Sequence, residues 1–81
     1  MDKKDVDFFN GLIEHGMLPL FLVSLISADN IDTKETWENN YARITKLKQY
    51  IEEIEFEDKV KYLEQINKGI EIIKRELKNY D

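Results

Sequence analysis

The uncharged segment MLPLFLVSLIS, residues 17–27, decides the fold because its apolar surface must be buried or covered somewhere. It lies in an 81-residue chain with 17 acidic and 12 basic residues, and it contains none of them. A transmembrane helix needs about 20 mostly apolar residues to cross a hydrocarbon core about 30 Å thick. The apolar run from Met17 to Ala28 would reach only about 18 Å as a helix at 1.5 Å per residue. We therefore interpret it as a core or interface helix and not as a membrane span.

A helix is predicted over this segment from Pro19 to Ala28. Proline is tolerated in the first turn of a helix, and a helix that is apolar on every side except Ser24 and Ser27 needs burial over most of its surface. Phenylalanine, valine and isoleucine also favour β-strands, but no other part of the chain has a strand pattern that could pair with it. The residues that follow, ADNID at 28–32, predict a loop.

A short amphipathic helix is predicted before this segment, over residues 5–15. Asp5 can cap its start, and Gly16 can end it in a left-handed conformation. Gly11 lowers its helix propensity by about 1 kcal/mol relative to alanine, which indicates either a weak helix or the close approach of another backbone. The apolar residues at helical spacing are Val6, Phe9, Leu12 and Ile13.

A long helical region is predicted after the loop, where Asp32 and Glu35 have the spacing of a capping box. It contains two apolar stripes, and Asn40 is the single polar member of the first. The first stripe is otherwise made of Trp37, Ile44, Leu47, Ile51 and Ile54, with Tyr41 and Tyr50 beside it. The second stripe is made of Leu63, Ile66, Ile70, Ile73, Leu77 and Tyr80. The two stripes are expected to pack on each other or on copies of themselves.

The segment between the stripes, EIEFEDK at residues 53–59, contains neither glycine nor proline, so one continuous helix from Thr33 to Tyr80 is an alternative. The phase of the stripe slips there, however, because Ile54 would be followed on the same seam by Asp58. That slip suits a tight turn with Asp58 as the next N-cap, and we favour a helical hairpin. Gly69 is expected to mark a close helix crossing in its second arm.

The predicted fold is all-α: a small helical bundle with two short N-terminal helices and a long C-terminal helical hairpin, in a single domain of residues 1–81. A domain of this size buries only about 60% of the surface of its unfolded chain. The chain has no cysteine and therefore no disulfide to compensate. We accordingly expect a homo-oligomer, a homodimer or larger.

The formal net charge of −5 and the pI near 4.9 argue against nucleic-acid binding, which depends on clustered Lys and Arg. A basic protein partner fits this charge, although a modest net charge also simply keeps a protein soluble. Acidic residues before the apolar segment, including Asp2, Asp5 and Asp7, argue against a secretory signal. A cytoplasmic location without membrane association is expected. The excess of lysine over arginine, with frequent Ile and Asn, favours an AT-rich bacterial or phage genome.

No catalytic or metal-binding pattern stands out, so we expect a non-enzymatic protein without a cofactor. His15 is the single histidine, and its place near a helix end gives it a structural role. Ser24 and Ser27 lack a glycine-rich elbow and a nearby base, and the glycines are too scattered for a phosphate loop.

Acidic residues are concentrated around the predicted turn, at Glu52, Glu53, Glu55, Glu57 and Asp58. Basic residues four positions later favour a solvated, self-paired helix face over an interaction patch. These pairs are Glu55–Lys59, Glu57–Lys61, Glu64–Lys68 and Glu71–Arg75.

Aromatic and apolar residues supply the candidate contact sites. The predicted oligomer or partner interface consists of Phe8, Phe9, Leu18, Phe21, Leu22, Leu25, Trp37 and Tyr41. A candidate small-molecule ligand pocket between subunits consists of Trp37, Tyr41, Arg43, Tyr50, Arg75 and Tyr80. The favoured function is an inhibitor, adaptor or immunity-type factor that binds a protein partner through helix faces. The alternative is an oligomeric protein that sequesters a nucleotide-type signal in aromatic and basic pockets.

Overall fold

The computed structural model describes residues 2–27 and 33–80, and within them it contains four helices. Helix α1 spans Lys3–Glu14, α2 spans Leu18–Ile26, α3 spans Lys34–Glu53 and α4 spans Lys59–Lys78. The prediction of two short N-terminal helices followed by a helical hairpin is thereby confirmed. The predicted loop at 28–32, the last residue of the predicted helix from Pro19 to Ala28 and the predicted cap Asp32 lie outside the described residues.

Helices α3 and α4 form the hairpin that the slip in the apolar stripe predicts. The chain leaves helical conformation between Ile54 and Asp58, and the continuous helix is therefore excluded. Gly69 lies where the helices approach closely, because a Cβ atom there would be 2.8 Å from Cδ1 of Ile44 and 3.3 Å from Cγ2 of Ile26. The hairpin contributes most of the fully buried side chains, which include Trp37, Ile44, Leu47, Ile51, Ile66 and Ile73.

The ends of α3 and α4 differ in detail from the sequence prediction. Thr33 occupies the N-cap of α3, and its Oγ1 accepts a hydrogen bond from the backbone N–H of Thr36 at 3.2 Å. Asp58 occupies the N-cap of α4 as predicted, but its side chain makes no capping hydrogen bond. Tyr80 lies beyond the end of α4 and is exposed, so it does not extend the buried stripe.

Helix α2 packs across the hairpin through Leu18, Leu22 and Leu25. Asn40 fixes its C-terminal end, because the side-chain Nδ2 donates a hydrogen bond to the backbone carbonyl oxygen of Leu25 at 3.2 Å. Carbonyl groups in the last turn of a helix have no partner within the helix. The polar member of the first stripe is therefore a buried bond between α3 and the end of α2.

Helix α1 begins two residues earlier than predicted, with Asp2 and not Asp5 at its N-cap. Asp5 lies in the first turn, where a carboxylate still interacts favourably with the helix dipole. Gly16 ends the helix region with a φ of 67°, as predicted. Apart from its chain neighbours and the backbone of its own helix, no atom of the described residues lies within 4 Å of the position of a Cβ on Gly11, so close packing does not explain this glycine.

Candidate protein-binding surface

Helix α2 is apolar on two faces, and only one of them is buried by the chain. Leu18, Leu22 and Leu25 are in the core, whereas the opposite face exposes 64% of Leu20 and 59% of Val23. Met17, just before the helix and three residues before Leu20, is also exposed. Residues three apart lie near one another on a helix surface. We call Met17, Leu20 and Val23 the outward face of α2.

The hydroxyl group next to the outward face already has a hydrogen-bond partner. Ser24 is exposed, and its Oγ donates to the backbone carbonyl oxygen of Phe21 at 2.6 Å. Burying a polar group costs free energy chiefly when the group loses its partner. A protein that covered this face would therefore meet apolar groups and a satisfied hydroxyl.

A groove runs between α2 and α4 beside the outward face. It encloses about 330 Å³, and Gly69 keeps its α4 wall low because this residue has no side chain. Gln65 and Lys68 supply the polar side chains along its length. Its apolar lining comes from Pro19, Leu22, Val23, Ile26 and Ile72.

The turn between α3 and α4 places negative charge close to the start of α2. Phe56 and Asp58 of this turn line the same recess as Gly16 and Leu18. Of the four predicted i,i+4 pairs, the structure forms only Glu55–Lys59, with 2.9 Å between Oε1 and Nζ. Within residues 33–80, no ion-pair partner is found for the remaining acids of the run, which are Glu52, Glu53, Glu57 and Asp58. The prediction that these acids pair with basic residues four positions later thus holds for one of the four pairs.

The predicted interface residues fall into two groups. Phe9, Leu18, Leu22, Leu25 and Trp37 are in the core of the single chain, where they hold the helices together. Phe8 is about half exposed, and Phe21 and Tyr41 are half-buried. Five of the eight predicted residues are therefore buried within the single chain.

The predicted ligand-pocket residues do not converge within one chain. Trp37 and Tyr50 are buried, and Tyr41 is half-buried. Arg43 lines a recess between α1 and α3, whereas Arg75 lines a shallow recess on α4 alone. The prediction placed this pocket between subunits, and a single chain does not test that arrangement.

The described residues bring no set of catalytic side chains together. His15 is exposed at the C-cap of α1, and residues 2–27 and 33–80 contain no cluster of three or more His, Cys, Asp or Glu side chains that could hold a metal ion. Asn40, the buried polar side chain, has its hydrogen bond to Leu25. What distinguishes the surface is therefore its apolar patch and the neighbouring negative charge.

Sequence reasoning missed Met17, Leu20 and Val23 because α2 is apolar all round. A helix with one polar face reveals its orientation through hydrophobic periodicity, but leucine at 20 and leucine at 22 carry the same signal. The segment therefore predicts burial of the whole helix without showing which face the chain itself covers. The hydrogen bond that orients the end of α2 comes from Asn40 of α3, so the sequence of α2 alone gives no sign of it.

No single helix in the described part of the chain is long and apolar enough to cross a membrane. Helices α1 and α2 together meet that length and composition, but they are bent by 114° at their junction. Comparison with protein-family models, curated proteins and solved structures found no match.

Proposed function

We propose that this protein is a non-enzymatic interaction protein that binds an amphipathic helix of another protein on α2. The observation that carries the proposal is the exposure of Leu20 and Val23 on a helix without a charged residue. Fully burying such a side chain contributes about 1.5–3 kcal/mol. Covering the exposed parts of both would contribute roughly 2–3 kcal/mol in total. Inhibitors, adaptors and immunity-type factors are small proteins that work by such contacts.

A helix is the partner element that suits this surface. The groove between α2 and α4 runs beside the outward face and is lined mainly by apolar side chains. Amphipathic helices bind grooves of this kind through residues spaced at i, i+3 or i+4, and i+7. Helix α2 has nine residues, which gives about 14 Å at 1.5 Å per residue and matches that span of anchors.

Charge favours a basic partner over a second copy of this chain. Asp58 of the α3–α4 turn lies next to the start of α2 and has no ion-pair partner within residues 33–80, and the chain has a net charge of −5. Complementary charges speed association and select partners, whereas like charges oppose it. A helix with lysine or arginine beside its apolar stripe therefore fits this surface. A second copy would carry the same net charge of −5.

The experiment uses two stapled helical peptides as probes, identical in their leucine stripe and differing only in lysine or glutamate on the flanks. We expect the lysine peptide to bind the full chain saturably in a fluorescence-polarisation titration, and the glutamate peptide to bind at least tenfold more weakly. Leu20→Glu and Val23→Glu should each weaken the lysine peptide at least tenfold. The matched control is Val60→Glu, because Val60 is 71% exposed on α4 outside the groove.

Three results would contradict the proposal. One is equal affinity for the two peptides, and another is an equal loss of affinity in Leu20→Glu and Val60→Glu. The third is a dimer in light scattering that Leu20→Glu converts to a folded monomer, since that result assigns the outward face to a second copy. Circular dichroism of each variant confirms that the helices remain.

A further inference from the structure

A second recess lies between α1 and α3 with one side chain from α2. It encloses about 390 Å³, within the range of about 300–1,000 Å³ that small-molecule sites occupy. Its aromatic wall is formed by Phe8, Phe9 and Phe21, and its charged wall by Asp5, Arg43 and Lys46.

The aromatic wall is anchored in the core through Phe9 and exposed to solvent at Phe8. Phe9 is buried and stacks on Tyr50 with 5.7 Å between ring centroids. Phe8 packs edge-on against Phe21 at 5.3 Å, yet 51% of Phe8 is exposed. Aromatic rings interact favourably in stacked and edge-on arrangements at such separations. A further planar ring can therefore add to this cluster without rearranging the core.

The charged wall is locally positive in a negatively charged protein. Arg43 and Lys46 are three residues apart on α3 and both line the recess, so they lie on neighbouring turns of one helix face. Lys46 Nζ is 3.4 Å from Asp5 Oδ2, with both side chains accessible to solvent, and exposed pairs of this kind contribute little. Two cations and one carboxylate leave one net positive charge beside the aromatic wall.

We propose that this recess binds a small planar aromatic anion. The ring would lie against Phe8 and Phe21, and the anionic group would lie between the guanidinium of Arg43 and the ammonium of Lys46. Arginine binds carboxylate and phosphate oxygens through two parallel hydrogen bonds, and lysine adds a point charge. The ligand class is thus an aromatic ring that carries a phosphate or a carboxylate, which includes nucleoside monophosphates. This site is separate from the proposed helix-binding surface on α2.

The first test titrates the full chain by calorimetry with adenosine monophosphate, phenyl phosphate and benzoate. Adenosine and inorganic phosphate serve as controls because each carries only half of the proposed chemistry. Saturable binding of at least one aromatic anion is expected, with at least tenfold weaker binding of both controls. Stronger binding of phenyl phosphate than of benzoate assigns a phosphate ligand, and the reverse order assigns a carboxylate. Absence of saturable binding by all three anions, or equal binding of inorganic phosphate, would overturn the proposal.

The second test locates the site with variants of the charged wall. Arg43→Gln and Lys46→Gln should each weaken binding at least tenfold, whereas Arg75→Gln, which makes the same charge change in the separate α4 recess, should leave it unchanged. Asp5→Asn should strengthen binding several-fold, because it removes a negative charge from the recess and frees Lys46. An equal loss in Arg75→Gln would show that net charge controls the affinity, and weaker binding in Asp5→Asn would show that Asp5 is needed for the local structure; either result would refute the site.

Discussion

The two faces of α2 can be separated by truncating two leucines that lie two residues apart. Leu22 is 5% exposed and belongs to the core, whereas Leu20 is 64% exposed. Truncation of a buried leucine to alanine costs about 2–5 kcal/mol. Because Leu22 borders the groove between α2 and α4, its truncation leaves less of an enclosed cavity than at a fully surrounded site. We therefore expect Leu22→Ala to lower the free energy of unfolding by about 2–3 kcal/mol, the lower part of that range. Leu20→Ala removes little buried surface and should cost about 0.5 kcal/mol or less.

Urea unfolding followed by circular dichroism at 222 nm measures both values. With a slope of about 1 kcal/mol per molar urea for a small domain, the midpoint should fall by roughly 2–3 M in Leu22→Ala and by at most about 0.5 M in Leu20→Ala. Both shifts should be independent of protein concentration. Equal shifts in the two variants would refute the orientation of α2. A Leu20→Ala shift that is larger at high protein concentration and shrinks on dilution would show that the outward face is already covered in an oligomer.

Two further substitutions test the contacts that position α2. Asn40→Ala should cost about 1–3 kcal/mol, because it leaves the buried carbonyl of Leu25 without its donor. Asn39→Ala is the matched control at an exposed position of the same helix, and equal urea midpoints for these two variants would show that the bond to α2 contributes nothing. Gly69→Val should cost about 1–3 kcal/mol through overlap with Ile44 of α3 and Ile26 of α2. Gly11→Ala, where the added methyl group meets no atom within 4 Å, should stabilise by about 0.5–1 kcal/mol, and a Gly69→Val chain as stable as Gly11→Ala would contradict the close crossing.

The hairpin was predictable because its two stripes keep helical spacing and change phase at one place. Ile54 and Asp58 would share a seam in a continuous helix, and that conflict between an apolar and a charged residue indicates the turn without glycine or proline. The close crossing at Gly69 was predictable for a related reason, since glycine inside a long helix lowers its stability unless packing requires it. Cap positions were less certain because Asp2, Asp5, Asp32 and Thr33 are all suitable capping residues.

The binding surfaces were less predictable because they depend on tertiary packing. Neighbouring residues of the same type have opposite environments, as Phe9 is buried and Phe8 is half exposed. The sequence predicts that aromatic and basic residues form a pocket, and it includes Arg43 among them. Which aromatic side chains face Arg43 depends on how α1 crosses α3, and that crossing leaves no periodic signal in either helix.

The most direct test of the helix-binding surface is a methyl NMR titration of the full chain with the lysine-flanked peptide. The proposal predicts saturable shifts of the methyl groups of Leu20, Val23 and Ile72, which lie on the outward face of α2 and in its groove with α4. The methyl groups of Val60 should not shift. Saturable shifts centred on Val60, or no shifts on α2 at peptide concentrations that saturate binding, would contradict the proposal.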